Sequence, residues 1–226
     1  MSRLINDDCM KVLPTLADDS VEMVLTDIPY GNLEYFASRI VAPRTDGRVM
    51  LKGAADAVVF SLPELTAQLL RVCSGSLYVF CGMGQVSELG ALFAQADLSV
   101  RLGIWEKTNP TPLHGERLWL SSIECCVFGR KASATFTERC SSSVWRETSH
   151  HGKIHPTQKP VSLFMRLIAA SSKPGATILD PFMGSGTTGV ACHTLGREFI
   201  GIEKDPAYFA AGSDRIRKVE SQPLLA

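Results

Sequence analysis

Residues 177–205 read TILDPFMGSGTTGVACHTLGREFIGIEKD. An apolar run ending at Asp180 gives way to a glycine-rich turn, then to a helix-forming stretch from Thr187, then to a second apolar run that closes at Glu203. Strand, turn, helix and strand in that order make a βαβ unit, whose strands are parallel and whose turn lies on the ligand side of the sheet. Gly184, Gly186 and Gly189 satisfy G-x-G-x-x-G, and Glu203 follows Asp180 by 23 residues, where an acid commonly meets ribose hydroxyls. The stretch predicts a site for a nucleoside-bearing cofactor; a plain βαβ unit with packing glycines is the alternative. A nicotinamide dinucleotide would use the same glycines, so Asp180 is the residue to weigh. A carboxylate there repels a pyrophosphate but attracts the ammonium and sulfonium of S-adenosylmethionine. That cofactor's own carboxylate can use the backbone N–H groups where the Thr187 helix begins.

Working outward, short apolar runs at 21–25, 76–81, 123–128, 177–179 and 199–202 read as buried parallel strands, and stretches 62–72, 85–96, 161–171 and 187–195 as helices. Their alternation predicts an α/β fold, a doubly wound and mostly parallel sheet, with ligands at the carboxyl ends of the strands. The 226 residues, 45% hydrophobic and 20% charged, suit a single α/β domain over 1–226. Segments 31–55 and 131–153 fit neither periodicity and read as loops, the second being a candidate target-recognition insertion at about 130–153.

A second constellation follows the run VEMVLT: Asp27-Ile28-Pro29-Tyr30. Pro29 restrains the backbone and biases Ile28 to an extended conformation, so the Asp27 carboxylate and the Ile28 carbonyl can both face a site. An exocyclic NH2 needs an acceptor for each hydrogen and an aromatic wall for its ring; Tyr30 supplies the wall. Taken alone, the tetrapeptide reads equally as a strand-capping Asp and a core Tyr.

Net charge is zero, but residues 101–160 hold 9 Lys and Arg against 5 acids, and four of the five histidines. That segment is the candidate footprint for a phosphate backbone, through Lys107, Lys131, Arg139, Arg146 and Lys153; a solvated surface is the alternative. Seven cysteines without zinc spacing predict no metal site, and no signal core or long apolar span appears. These features predict a soluble, reducing, cytoplasmic setting.

With both constellations in hand, the sequence resembles the amino-methyltransferases of DNA, whose hallmarks are a D/N/S-P-P-Y tetrapeptide and an F-x-G-x-G loop. Here they stand as Asp27-Ile28-Pro29-Tyr30 and Phe182-Met183-Gly184-Ser185-Gly186, in the motif order of the beta class. Asn6-Asp7-Asp8-Cys9, Trp105-Glu106-Lys107-Thr108-Asn109-Pro110 and His155-Pro156-Thr157-Gln158-Lys159-Pro160 are similar to three further family elements. The resemblance implies a Rossmann-like methyltransferase fold of permuted motif order that binds S-adenosylmethionine. Asp180 would lie near the methionine ammonium, Glu203 on the ribose and Asp8 near the adenine amino group. Phe182, Gly184, Gly186, Thr187, His155 and Lys159 would complete the cofactor site. It also implies double-stranded DNA as partner, a base flipped into the pocket, and direct methyl transfer to an amino nitrogen held by Asp27 and the Ile28 carbonyl. Asp27 favours adenine N6 over cytosine N4, since Ser is more usual in the cytosine enzymes. The family's first proline is Ile28 here, which leaves open a slow enzyme or a noncatalytic DNA-binding relative. The short recognition segment points to a short target sequence or to help from a homodimer partner.

Overall fold

The computed structural model describes residues 2–30, 60–110, 122–138, 141–149 and 158–221. Runs rich in Val, Ile, Leu and Phe form one eight-stranded sheet: β1 (Ser2–Asn6), β2 (Val21–Asp27), β3 (Cys73–Cys81), β4 (Ser99–Lys107), β5 (Ile123–Arg130), β6 (Val144–Glu147), β7 (Thr177–Asp180) and β8 (Glu198–Glu203), in the spatial order β1-β8-β7-β2-β3-β5-β4-β6. Helices α1 (Cys9–Val12), α2 (Leu62–Val72), α3 (Val86–Gln95), α4 (Val161–Ser171), α5 (Thr187–Thr194) and α6 (Pro206–Glu220) connect and cover them. Apolar side chains fill two buried clusters. One gathers Leu13, Leu65, Leu69, Leu77, Val79 and Phe93, the other Met23, Phe80, Trp105, Leu163, Phe164 and Phe199. The expected α/β sheet is present. No helix among the described residues is long and apolar enough to cross a membrane.

Two expectations need correction. The run at 123–128 was expected to be a parallel strand, but β5 is antiparallel to both β3 and β4. Apolar periodicity reports burial and not direction, and no crossover helix separates β4 from β5 among the described residues. The segment expected as a loop at 131–153 contains β6, which pairs in parallel with β4 and buries Trp145. The β6 strand is only four residues long, too short to show an alternation.

Because every other strand runs the opposite way to β5, the carboxyl ends of β1, β8, β7, β2, β3 and β4 share one edge of the sheet with the beginning of β5. The chain leaves β2 toward β3 on one side and β7 toward β8 on the other, so the β2/β7 boundary is the switch point where a crevice opens.

Trp145 sits on β4 through a missing side chain. A Cβ at Gly103 would lie 2.2 Å from the Trp145 Cη2, so the indole occupies the space that any other residue would fill. Gly103→Ala is expected to push the indole off the sheet and cost about 1–3 kcal/mol, read as a lower urea midpoint. An unchanged midpoint would show that the packing of Trp145 does not require glycine.

Candidate active site

The glycine-rich turn is held from below and behind. At the end of β7 the Asp180 carboxylate accepts from the Thr26 hydroxyl (2.8 Å), the Phe182 N–H (3.1 Å) and the Thr188 hydroxyl (2.5 Å). It thereby joins β2, the turn and α5. Burial pushes this carboxyl up to about 6, against the hydrogen bonds from Thr188, Thr26 and Phe182. The Asp180 group expected to meet a cofactor ammonium is thus 3% exposed and keeps roughly one free lone-pair direction for it.

Gly184 and Gly186 take positive φ, 45° and 73°, and Gly186 caps α5 in the left-handed region that favours glycine. A Cβ on Gly212 of α6 would stand 2.4 Å from the Gly184 carbonyl, so α6 packs backbone to backbone against the turn. Arg215, from the same helix, donates to the Ser185 carbonyl (2.9 Å) and the Thr187 hydroxyl (3.0 Å). On its outer face the turn is open, because a Cβ on Gly184 would meet nothing nearer than the Phe182 carbonyl at 3.9 Å. Glu203 closes one side, accepting from the Gly184 N–H (3.0 Å) and the Asp205 N–H (2.8 Å); burial raises its carboxyl above the usual range. Next to it, at the end of β1, Asp8 accepts from the Met10 N–H (2.9 Å) as the cap of α1. The Lys204 ammonium donates to its other oxygen (2.8 Å), and that bond holds the Asp8 carboxyl below its ordinary value.

Across the β2/β7 boundary, the structure assembles a buried charge cluster. Lys159, 4% exposed, places its ammonium between the Asp27 and Glu124 carboxylates, 2.9 Å from Glu124 Oε2 and in a shorter contact with Asp27 Oδ2. The Tyr30 hydroxyl donates to Asp27 Oδ1 (2.7 Å) and also reaches Glu124 Oε2 (3.1 Å). Lys107 completes the group, 2.6 Å from Glu124 Oε1. Aromatic faces line it, with the Lys159 nitrogen 5.6 Å from the ring centres of both Tyr30 and Phe80. Burial pushes the Asp27 carboxyl up, with Lys159 opposing; for Glu124 the two ammoniums overcome burial and hold it below its usual value. Burial alone would lower Lys159, but the two carboxylates carry it above the ordinary lysine value.

The turn after β2 has one further brace. The Gln85 side chain donates to the Pro29 carbonyl (3.1 Å) and accepts from the Gly82 N–H (2.9 Å), fixing the peptide that carries Tyr30.

Several expected residues fall elsewhere. Lys107 is 14% exposed and bonded to Glu124, so it belongs to the charge cluster and not to a phosphate-facing surface. The Lys159 ammonium faces Asp27, across the switch point from Glu203 and Asp8, while its backbone carbonyl accepts from the Thr187 hydroxyl of the turn at 3.4 Å. Lys131 pairs with Asp19 at 2.8 Å, whereas Arg146 pairs with Glu106 while remaining 75% exposed. Arg139, Lys153 and His155 lie outside the described residues. Glu124, Gln85 and Arg215 are site residues that the motifs do not contain. The available signal for Glu124 was a charge embedded between Ile123 and Cys125 in an apolar run.

A family model described as DNA methylase, covering the N6 and N4 enzymes, matches residues 21–213. The chain belongs to this DNA methylase family. Within it, the motif order is that of the beta class. The type II methyltransferase M.HinfI of Haemophilus influenzae is 28% identical over 257 aligned positions, spanning 99% of this chain and 70% of that one. M2.DpnII of Streptococcus pneumoniae, also a type II methyltransferase, is 27% identical over 94% of this chain and 88% of its own. The crystal structure of an M1.HpyAVI–SAM complex superposes with a TM-score of 0.72 at 26% identity, covering 95% of this chain and all of that one. The cytosine-N4-specific PvuII DNA methyltransferase shares the fold, with a TM-score of 0.71 at 13% identity over 96% of this chain and 90% of its own.

Against the family's D/N/S-P-P-Y, Ile28 replaces the rigidity of a proline ring by other means. Its N–H donates to the Phe80 carbonyl (3.0 Å), extending the β2 to β3 ladder, and its side chain is 1% exposed in the core. Ile28→Pro restores the family residue but strands the Phe80 carbonyl and shrinks the side chain. It is expected to destabilise the fold by about 1–3 kcal/mol, measured by denaturant titration. A variant as stable as the parent would show that the Phe80 bond contributes nothing.

Asp180 makes stability depend on pH with a definite sign. Its folded-state value lies above the ordinary 3.8, at about 6, so protonation favours the folded form. That contribution is complete below pH 3.8 and is lost as pH rises through about 6, a change of about 3 kcal/mol. Asp180→Asn is expected to flatten the stability profile over that window, and an identical slope in both proteins would remove the group as its source.

Proposed function

We propose that this chain methylates the N6 amino group of adenine in double-stranded DNA, using S-adenosylmethionine as methyl donor. The coarser statement, a DNA amino-methyltransferase, follows from family membership. The observation that carries the finer reading is the Asp27 carboxylate at the switch point, beside a glycine-rich turn whose outer face is open. The donor fits the residues present. Glu203 would take its ribose hydroxyls, Asp8 its adenine end, and the turn from Phe182 to Thr187 its methionine part. When bound, it supplies a methyl group made electrophilic by a sulfonium.

The chain's own residues do the remainder by position and charge. A base in a duplex cannot reach Asp27 while stacked, so it flips out at a cost of a few kcal/mol, which stacking on Tyr30 offsets in part. The amino lone pair of adenine is delocalised into its ring. Accepting both amino hydrogens, at Asp27 and at the Ile28 carbonyl, draws the nitrogen toward tetrahedral geometry and turns its lone pair to the methyl side. Lys159 and Glu124 hold Asp27 in place before the base arrives, so little reorganisation is left for the reaction itself. The single domain would grip DNA through cations of segment 101–160 such as the exposed Arg146, with Arg139 and Lys153 as further candidates from the sequence, and a homodimer would double that surface. The described cysteines are buried free thiols, which suits the reducing cytoplasm.

Asp27→Asn keeps the shape and removes the charge. It is expected to lower turnover by about 100-fold or more while leaving the calorimetric affinity for S-adenosylmethionine within about threefold. Turnover close to that of the parent would exclude Asp27 as the group holding the base. Digestion of DNA methylated with labelled donor should yield N6-methyladenine. N4-methylcytosine as the dominant product would overturn the adenine assignment alone, and absence of both would overturn the activity.

A further inference from the structure

Glu124 lies outside the motifs quoted above, yet it touches both Lys159 and Tyr30, the two side chains bonded to the Asp27 carboxylate. Its Oε2 accepts from Lys159 at 2.9 Å and lies 3.1 Å from the Tyr30 hydroxyl, while Oε1 takes Lys107 at 2.6 Å. Tyr30 has a single hydroxyl proton facing two carboxylates, and in this structure the shorter contact is to Asp27 Oδ1, at 2.7 Å. That oxygen is the acceptor the flipped base needs. A base amino group arriving at Asp27 Oδ1 competes with the tyrosine proton for that oxygen, and Glu124 Oε2 is the second acceptor already within the hydroxyl's reach.

We propose that Glu124 is a positioning residue of the methyl-transfer site, receiving the Tyr30 hydroxyl when Asp27 turns to the base and holding the Lys159 ammonium where it keeps Asp27 aimed. The role rests on the reading of Asp27 as the acceptor of the base amino group. No bond is made or broken in the exchange; one hydrogen bond moves from Asp27 Oδ1 to Glu124 Oε2. Reversed strand β5 makes the arrangement available, because its second residue lies at the edge where the other strands end. The groups facing Asp27 are Tyr30 from its own turn, Lys159 from the segment before α4, Glu124 and the Cys126 thiol from β5, the Cys81 thiol from β3 and Asp180 from β7, with Lys107 of β4 behind Glu124. Among them, the Glu124 charge raises the Asp27 carboxyl and Lys159 lowers it.

The test uses Glu124→Gln, which keeps the shape and removes the charge, and Glu124→Asp, which keeps the charge on a shorter arm. In Glu124→Gln, kcat is expected to fall by about 10- to 100-fold with the Kd for S-adenosylmethionine unchanged. The acid limb of kcat should move to lower pH, because Asp27 then faces Lys159 without a competing carboxylate. The same downward move should appear in the Asp27 carboxyl titration, followed by NMR of protein labelled at aspartate carboxyl carbon, with no DNA or donor present. Glu124→Asp should keep both titrations near those of the parent and recover part of the lost kcat. A Glu124→Gln protein with parental kcat, or one whose Asp27 titration does not move, overturns the role. If the unmodified protein forms no methylated nucleoside, the activity fails and this role fails with it. The two failures are told apart because the NMR titration reads the coupling without turnover.

Discussion

A lysine ammonium withdrawn from water between two carboxylates is the contact on which the active edge depends. Lys159 is nearly inaccessible, and a lone buried charge would cost more than most single interactions in a domain contribute. Its partners come from separate parts of the chain, Asp27 from the end of β2 and Glu124 from the start of β5, and Lys159 itself from the segment leading into α4. Removing either carboxylate leaves the ammonium poorly compensated, so the three segments are bound to one arrangement. The rings of Phe80 and Tyr30 lie against the Lys159 ammonium, while the Asp27 carboxylate keeps part of its surface exposed.

On the other side of the β2/β7 boundary the constraint is steric. Gly186 and Gly189 admit Ile216 of α6, Gly212 admits the Gly184 carbonyl, and each would clash if it carried a Cβ. The turn is thus clamped by a helix behind it and by Asp180 beneath it, while its outer face stays open. Thr26 joins the two halves: it lies on β2 one residue before Asp27, and its hydroxyl bonds to Asp180 of β7. Beyond the β2 to β7 ladder, which stops at Val24 and Leu179, this buried hydrogen bond ties the tetrapeptide to the glycine-rich turn.

The glycine turn and the tetrapeptide were legible because their chemistry is local. Backbone conformation at Gly186, the cap-forming Asp8 and the strand ending at Asp27 all depend on residues within a few positions. Glu124 and Lys107 were not legible in the same way. Their roles depend on β5 running against its neighbours, and neither periodicity nor composition carries strand direction. Lys107 consequently read as a phosphate contact, since a cation in a basic segment gives no sign of the carboxylate it will meet. Arg215 and Gln85 escaped notice for a related reason: each supports the site from a helix face or a short turn whose placement is tertiary.

The reversal of β5 also determines where the chain can be enlarged. Lys107 ends β4 at the same edge where Ile123 begins β5, and the Lys107 N–H already bonds to the Ser122 carbonyl at 2.7 Å. Both points therefore lie beside the Lys159 cluster. Residues added between them would leave every ladder bond of β4 and β5 in place. The same holds between Tyr30 and Phe60, where the chain departs from the tetrapeptide and returns just before the cap of α2. A scaffold of this kind tolerates changes of length at two points on the edge that carries Asp27 while the sheet stays as it is.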